Sequence, residues 1–109
     1  MRSFVFFLLL ALHVAASADC GRASWYQYGN THTASGERFN PDGLTAAHRT
    51  LKFGTKLKVV RGKYSVVVRV TDRGPFIRGR VLDLSRGAAR KLNMLSAGVA
   101  NVCFERVAP

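Results

Sequence analysis

Hydrophobic and polar positions alternate most cleanly at residues 56–60, KLKVV, where each lysine is followed by an apolar residue. That two-residue period marks a strand with one buried face. The next run, YSVVVRVT at 64–71, is rich in β-branched residues and predicts a second strand, joined to the first by a hairpin turn at Arg61-Gly62-Lys63. Upstream, GRASWYQY at 21–28 sets Ala23 and Trp25 on one face and Ser24, Tyr26 and Tyr28 on the other, as in a first strand. Residues 29–43, GNTHTASGERFNPDG, have little apolar periodicity and many turn formers, and predict a long loop. LTAAHRTL at 44–51 predicts a short helical turn capped by Thr45, and Phe53-Gly54-Thr55 a turn. Past the valine-rich strand, Gly74-Pro75 and Gly79 force the chain to turn, and Val81-Leu82 lead back. Ser85 is an N-cap for a helix in which Ala88, Ala89, Leu92 and Leu95 recur at helical spacing, closed by Gly98. Residues 99–107 predict the last strand. Five or six short strands and one modest helix, without βαβ alternation or repeats, predict a mainly β fold. A small closed barrel hides the strand edges most simply.

The N-terminus does not belong to that pattern. Met1-Arg2, an apolar run over 4–12 and Ala16-Ser17-Ala18 read as a secretory signal peptide, residues 1–18, followed by one domain at 19–109. The apolar run is too short for a membrane span, so no stable membrane anchor is expected. Export favours a disulfide between Cys20 and Cys103, near the two ends of the mature chain. Lipidation of Cys20 is the alternative, disfavoured by Asp19 before it. A formal net charge of +11 favours polyanionic partners. Export argues against nucleic acid and for an anionic cell wall, in the periplasm or outside the cell. A monomer is expected.

Candidate chemistry concentrates in VTDRGPFIRGRVLDLS at 70–85, where Asp72 and Asp83 each end a strand-like segment and turns between them bring the chain back. That turn-back makes a shared groove for the two carboxylates an expectation for the structure to test. Glu37, in the long loop, is one of few acids in a basic chain; its structural alternative is a surface pair with Arg38. His48 is either a catalytic-site hydrogen-bond partner or a structural histidine. No metal-ligand spacing surrounds it, and no phosphate-cradling loop is present, so neither metal nor cofactor is expected. Trp25 and Tyr26 are core residues or sugar-stacking platforms.

The motifs GRASWY, TASGERF, LTAAHRTLKFGT, VTDRGPFIRGRVLDLS and AARKL, in that order, closely resemble the rare lipoprotein A family, the septal-ring lytic transglycosylases. The resemblance covers nearly the whole mature chain. It implies a six-stranded double-psi β-barrel with one or two short helices, shared with expansins and barwin-like proteins. It also implies endolytic cleavage of peptidoglycan strands stripped of peptide, with 1,6-anhydro ends. Glu37, His48 and Asp72 match the family's polar site residues, and Asp83 matches the acidic position of expansin and glucanase relatives. On this basis Asp72 is expected as acid and base, Glu37 as the second carboxyl, and His48 as a hydrogen-bond partner, with Asp83 the alternative acid. Tyr26, Arg73 and Arg78 are the expected substrate contacts. Asp19 departs from the lipobox that many members carry, and the C-terminal glycan-binding domain of many members has no counterpart in this sequence, so the resemblance leaves septal targeting open. The competing reading is a non-catalytic, expansin-like wall-binding module; a cationic defence or inhibitor protein is a weaker third.

Overall fold

Six strands close into one barrel: β1 (Asp19–Tyr26), β2 (Thr45–Ala47), β3 (Lys56–Arg61), β4 (Tyr64–Asp72), β5 (Arg80–Ser85) and β6 (Val99–Arg106), with a helix, α1 (Arg86–Lys91), between the last two. The structure is a computed structural model and describes residues 18–26 and 31–107. The expected leader therefore lies, apart from Ala18, outside the described residues, as does Tyr28. Among the described residues no helix is long and apolar enough to cross a membrane.

Around the barrel the order is β1-β5-β2-β4-β3-β6, and β6 returns to β1. The pairs β1–β5 and β2–β4 are parallel and the other four antiparallel. This is the architecture of a six-stranded double-psi β-barrel. The alternation in KLKVV holds: Lys56 and Lys58 are exposed, while Leu57 and Val59 are fully buried. Val66, Val68 and Val70 face them from β4, and Leu82, Leu84, Val102 and Phe104 complete the interior. Leu92 and Met94, just past α1, join the same core. Each such side chain contributes about 1.5–3 kcal/mol relative to exposure.

Cys20 and Cys103 stand opposite each other in the β1–β6 register, 4.0 Å apart at Cα, and form the expected disulfide. The sulfur of Cys20 is thus not available for acylation. The bond spans 83 residues, a closure worth about 4 kcal/mol in the chain-entropy picture.

The helical turn expected over 44–51 is corrected to strand β2. Ala46 and Ala47 pair with β4 on one side and β5 on the other, and two ladders outweigh a local helical preference. Thr45 is not a cap; its N–H donates to Ser85 Oγ. Ser85 does cap α1, accepting from Ala88 N at 3.2 Å, and its hydroxyl donates to Gly43 O at 2.7 Å. One buried hydroxyl thereby ties helix, loop and β2 together. The helix is shorter than its apolar spacing implied: Leu92 closes it and Asn93 turns at φ 55°. Gly87 is required where loop and helix touch, since a Cβ there would lie 2.5 Å from Asp42 O.

Candidate active site

Ala47 is the centre of the site. It pairs with Asp83 on β5 and with Asp72 on β4, so the two carboxylates flank one strand. Two strand spacings put their α-carbons about 10 Å apart. Ala23, Leu82, Leu84, Ala46 and Val70 belong to the core, so alternation turns Ser24, Asp83 and Ala47 to the opposite side. By the same rule Asp72 would follow Val70 inward. The ladder shifts between Ala46 and Ala47: Ala46 pairs with Val70 and Ala47 with Asp72, leaving Thr71 as an extra residue. Such an irregularity re-aims the side chain that follows it. Asp72 thereby joins Asp83 on the outer face, and each is felt by the other groups there.

Asp83 is half-buried, and burial pushes its carboxyl above the usual range, with the Asp72 charge adding in the same direction. Ser24 Oγ, donating to Asp83 Oδ1 at 2.8 Å, and Arg80 pull the other way. Asp72 Oδ1 accepts from Ala34 N and Arg73 N, both at 2.9 Å. These bonds orient the carboxylate and dock the loop on the end of β4, reinforced by Ser35 N to Thr71 O at 3.0 Å. Tyr26, at the end of β1, stacks on Phe39 with ring centroids 4.9 Å apart. Burial, then the charges of Asp72 and Asp83, hold its phenol well above its ordinary pKa, so it stays protonated. Trp25, by contrast, packs against the core.

The other expected site residues are placed differently. Glu37 pairs with Arg69 across the loop–β4 junction, and that bond holds its carboxyl below the usual range. The sequence neighbour Arg38 is not its partner. His48 donates its backbone N–H to Asp72 O at 3.1 Å, but its ring turns elsewhere. Nδ1 accepts from Thr50 N and Leu51 N, both at 3.1 Å, and the ring meets Phe104 edge-on. Burial, Arg49 and Arg73 lower its pKa, so the imidazole is neutral with its proton on Nε2. Arg73 donates to the carbonyls of His48 and Leu51 at 3.2 and 2.8 Å and lies over the Phe53 ring. Arg78 sits on the exposed turn beside Phe76 and Ile77. Neither Arg69 nor Arg73 directs its guanidinium at Asp72.

A hollow of about 150 Å³ opens between loop 31–45 and the outer face of β4, walled by Thr33, Glu37, Phe39, Leu44, Arg69 and Thr71 among others. Thr71 is 1% exposed, and its Oγ1 has no hydrogen-bond partner among the described residues. A buried hydroxyl left so costs about 1–3 kcal/mol. Sequence reading missed Ser24, Phe39, Arg69 and Thr71. Only Ser24 had a signal, its place on the same strand face as Tyr26. Among the described residues no cluster of His, Cys, Asp or Glu is arranged to hold a metal.

The family described as lytic transglycolase matches residues 18–104. A probable endolytic peptidoglycan transglycosylase RlpA of Synechocystis sp. is 58% identical over 91 residues, covering 80% of this chain and 28% of the relative. The endolytic peptidoglycan transglycosylase RlpA of Campylobacter jejuni is 47% identical over 96 residues, covering 84% and 34%. The chain thus spans about a third or less of the length of these curated relatives. Among solved structures, the apo expansin of Clavibacter michiganensis superposes with a TM-score of 0.69 at 29% identity, over 84% of this chain and 51% of that one.

Proposed function

The chain belongs to the lytic transglycolase family of double-psi β-barrels, and from that premise we propose that it is an endolytic peptidoglycan transglycosylase. It cleaves the β-1,4 bond between N-acetylmuramic acid and N-acetylglucosamine in peptide-free strands, leaving 1,6-anhydro ends. One observation carries this reading. Asp72 and Asp83 flank Ala47 on one open face, and Asp83 is half-buried with a raised pKa.

The geometry favours a division of labour. Asp83, its carboxyl raised by burial, gives its proton to the glycosidic oxygen as the C1–O bond breaks. Asp72, oriented by Ala34 N and Arg73 N, stabilises the oxocarbenium-like centre at C1. The sugar's own C6 hydroxyl attacks C1, and its proton returns to Asp83. No water is consumed, and intramolecular attack gains from proximity. Sequence reasoning put Asp72 in the donor role; the burial of Asp83, which outweighs its bond to Ser24, supports the exchange. Tyr26 offers a ring for stacking, and Glu37 orients substrate from the edge of the hollow. His48 acts through its backbone, fixing the end of β2 to Asp72. Arg78 reaches glycan from its exposed turn.

Preference for peptide-free strands has its own chemistry. Removing the peptide uncovers the lactyl carboxylate of muramic acid. Arg80, close enough to act on Asp83, and Arg22, its partner across β1–β5, supply positive charge beside the cleavage point. A wall substrate places the protein outside the cytoplasm, exported by the leader at residues 1–18.

The test is the mass of products released from denuded sacculi by residues 19–109. Anhydro-ended fragments, lighter by one water than hydrolysis products, support the proposal; reducing ends overturn it. Salt-sensitive binding without released sugar would instead support a wall-binding module, the reading that the expansin likeness keeps in view.

A further inference from the structure

The hollow beside β4 shares walls with both ends of the proposed catalytic face. Thr71 precedes Asp72 in the chain, and Phe39 lies under the Tyr26 ring. We propose that this hollow is the subsite for the 2-acetamido group of a substrate sugar, an inference that rests on the transglycosylase reading of the neighbouring face.

Its wall chemistry matches a secondary amide. Phe39 and Leu44 supply apolar surface for the methyl. Glu37 and Arg69, paired at the edge, present an acceptor beside a donor, complementary to the N–H and C=O of an acetamide. The Thr71 hydroxyl, without a partner among the described residues, is a further donor for the carbonyl. Buried hydroxyls are normally satisfied, and one that is not, in the wall of a cavity, points to a ligand. The hollow, about 150 Å³, has room for the four heavy atoms of an acetamido group. The subsite thereby separates N-acetylated wall glycans from glucose polymers on the same barrel surface.

The test is a protein-observed ¹H–¹⁵N titration with three uncharged sugars: methyl 2-acetamido-2-deoxy-β-glucoside, methyl β-glucoside and the 2-benzamido analogue. The acetamido sugar is expected to shift the amides of Thr33, Leu44 and Thr71, and to bind at least about tenfold more tightly than the other two. Thr71→Val should narrow that preference, and Leu44→Trp, at an exposed edge position, should abolish it without touching the core. Equal binding of glucoside and acetamido sugar, shifts confined to residues away from the hollow, or an unchanged preference in both variants would overturn the subsite. Because the readout is binding, lost preference with anhydro products still formed sinks the subsite alone. Intact preference without products supports the subsite and sinks the transglycosylase reading alone.

Discussion

The hydroxyl of Ser24 donates a 2.8 Å hydrogen bond to Asp83 Oδ1 from the neighbouring parallel strand. The two residues are 59 positions apart, yet β1 and β5 hold them in register on the face that carries Asp72. The bond favours the ionised carboxylate, while burial of Asp83 favours the acid. Their balance decides how much of the proposed proton donor is loaded at a given pH.

Ser24→Ala removes a donor from the carboxylate, so the Asp83 pKa should rise further. The pH profile of kcat/KM on denuded glycan should keep its shape and move its basic limb to higher pH. Asp83→Asn should cost at least about 10²-fold in rate while retaining glycan binding. A basic limb that stays in place in Ser24→Ala would remove Asp83 from the donor role.

Much of the barrel was legible because its strands alternate: Lys56 and Lys58 out, Leu57 and Val59 in, and Ser85 placed where a helix must start. The strand at 45–47 was not, because three small residues have no periodicity of their own. Their conformation is set by two ladders from distant segments. The carboxylates Asp72 and Asp83 stood out as strand-end acids, but their shared face depends on the extra residue at Thr71, which no local pattern announces. Adjacency misled in two places. Glu37 ignores Arg38 for Arg69, 32 residues away, and Arg73, next to Asp72, sends its guanidinium to the carbonyls of His48 and Leu51.

The Glu37–Arg69 pair should control a titration rather than the stability of the barrel. Arg69→Gln removes the bond that lowers the Glu37 pKa, so the carboxyl midpoint, followed by ¹³C NMR, should rise toward the ordinary value. A lowered carboxyl pKa adds stability above the unfolded-state value that is lost as pH falls through the folded one. Both side chains are more than a third exposed, so urea denaturation should register less than about 1 kcal/mol. A larger loss would mean that the pair anchors the loop.

His48 gives stability a pH dependence of its own. Its Nδ1 accepts two backbone N–H bonds, and protonation there would replace the acceptor with a third donor facing those two. Its folded pKa lies below the ordinary value, chiefly through burial, so the contribution is complete above the unfolded pKa near 6.5 and is lost as pH falls toward the folded value. Denaturation from pH 7.5 to 5 should show this loss in wild type and a flatter curve in His48→Gln. Side-chain ¹⁵N shifts should report the Nε2–H tautomer. An Nδ1–H signal would instead place the ring toward the carboxylates.

Arg73 distinguishes a structural arginine from a glycan-binding one. Its guanidinium donates to His48 O and Leu51 O and lies 4.0 Å from the Phe53 ring centroid, tying residues 48–53 to the strand that ends in Asp72. Arg73→Met keeps the length and apolar stem but removes the donors, leaving two carbonyls to find water. Hydrogen bonds to a charged group are worth about 1.5–3 kcal/mol, so stability should fall by about 2 kcal/mol. Faster amide exchange should be confined to 48–53. Affinity for denuded glycan should hold, because the lost charge is already committed to the protein's own backbone. Unchanged stability with a clear loss of glycan affinity would return Arg73 to the substrate.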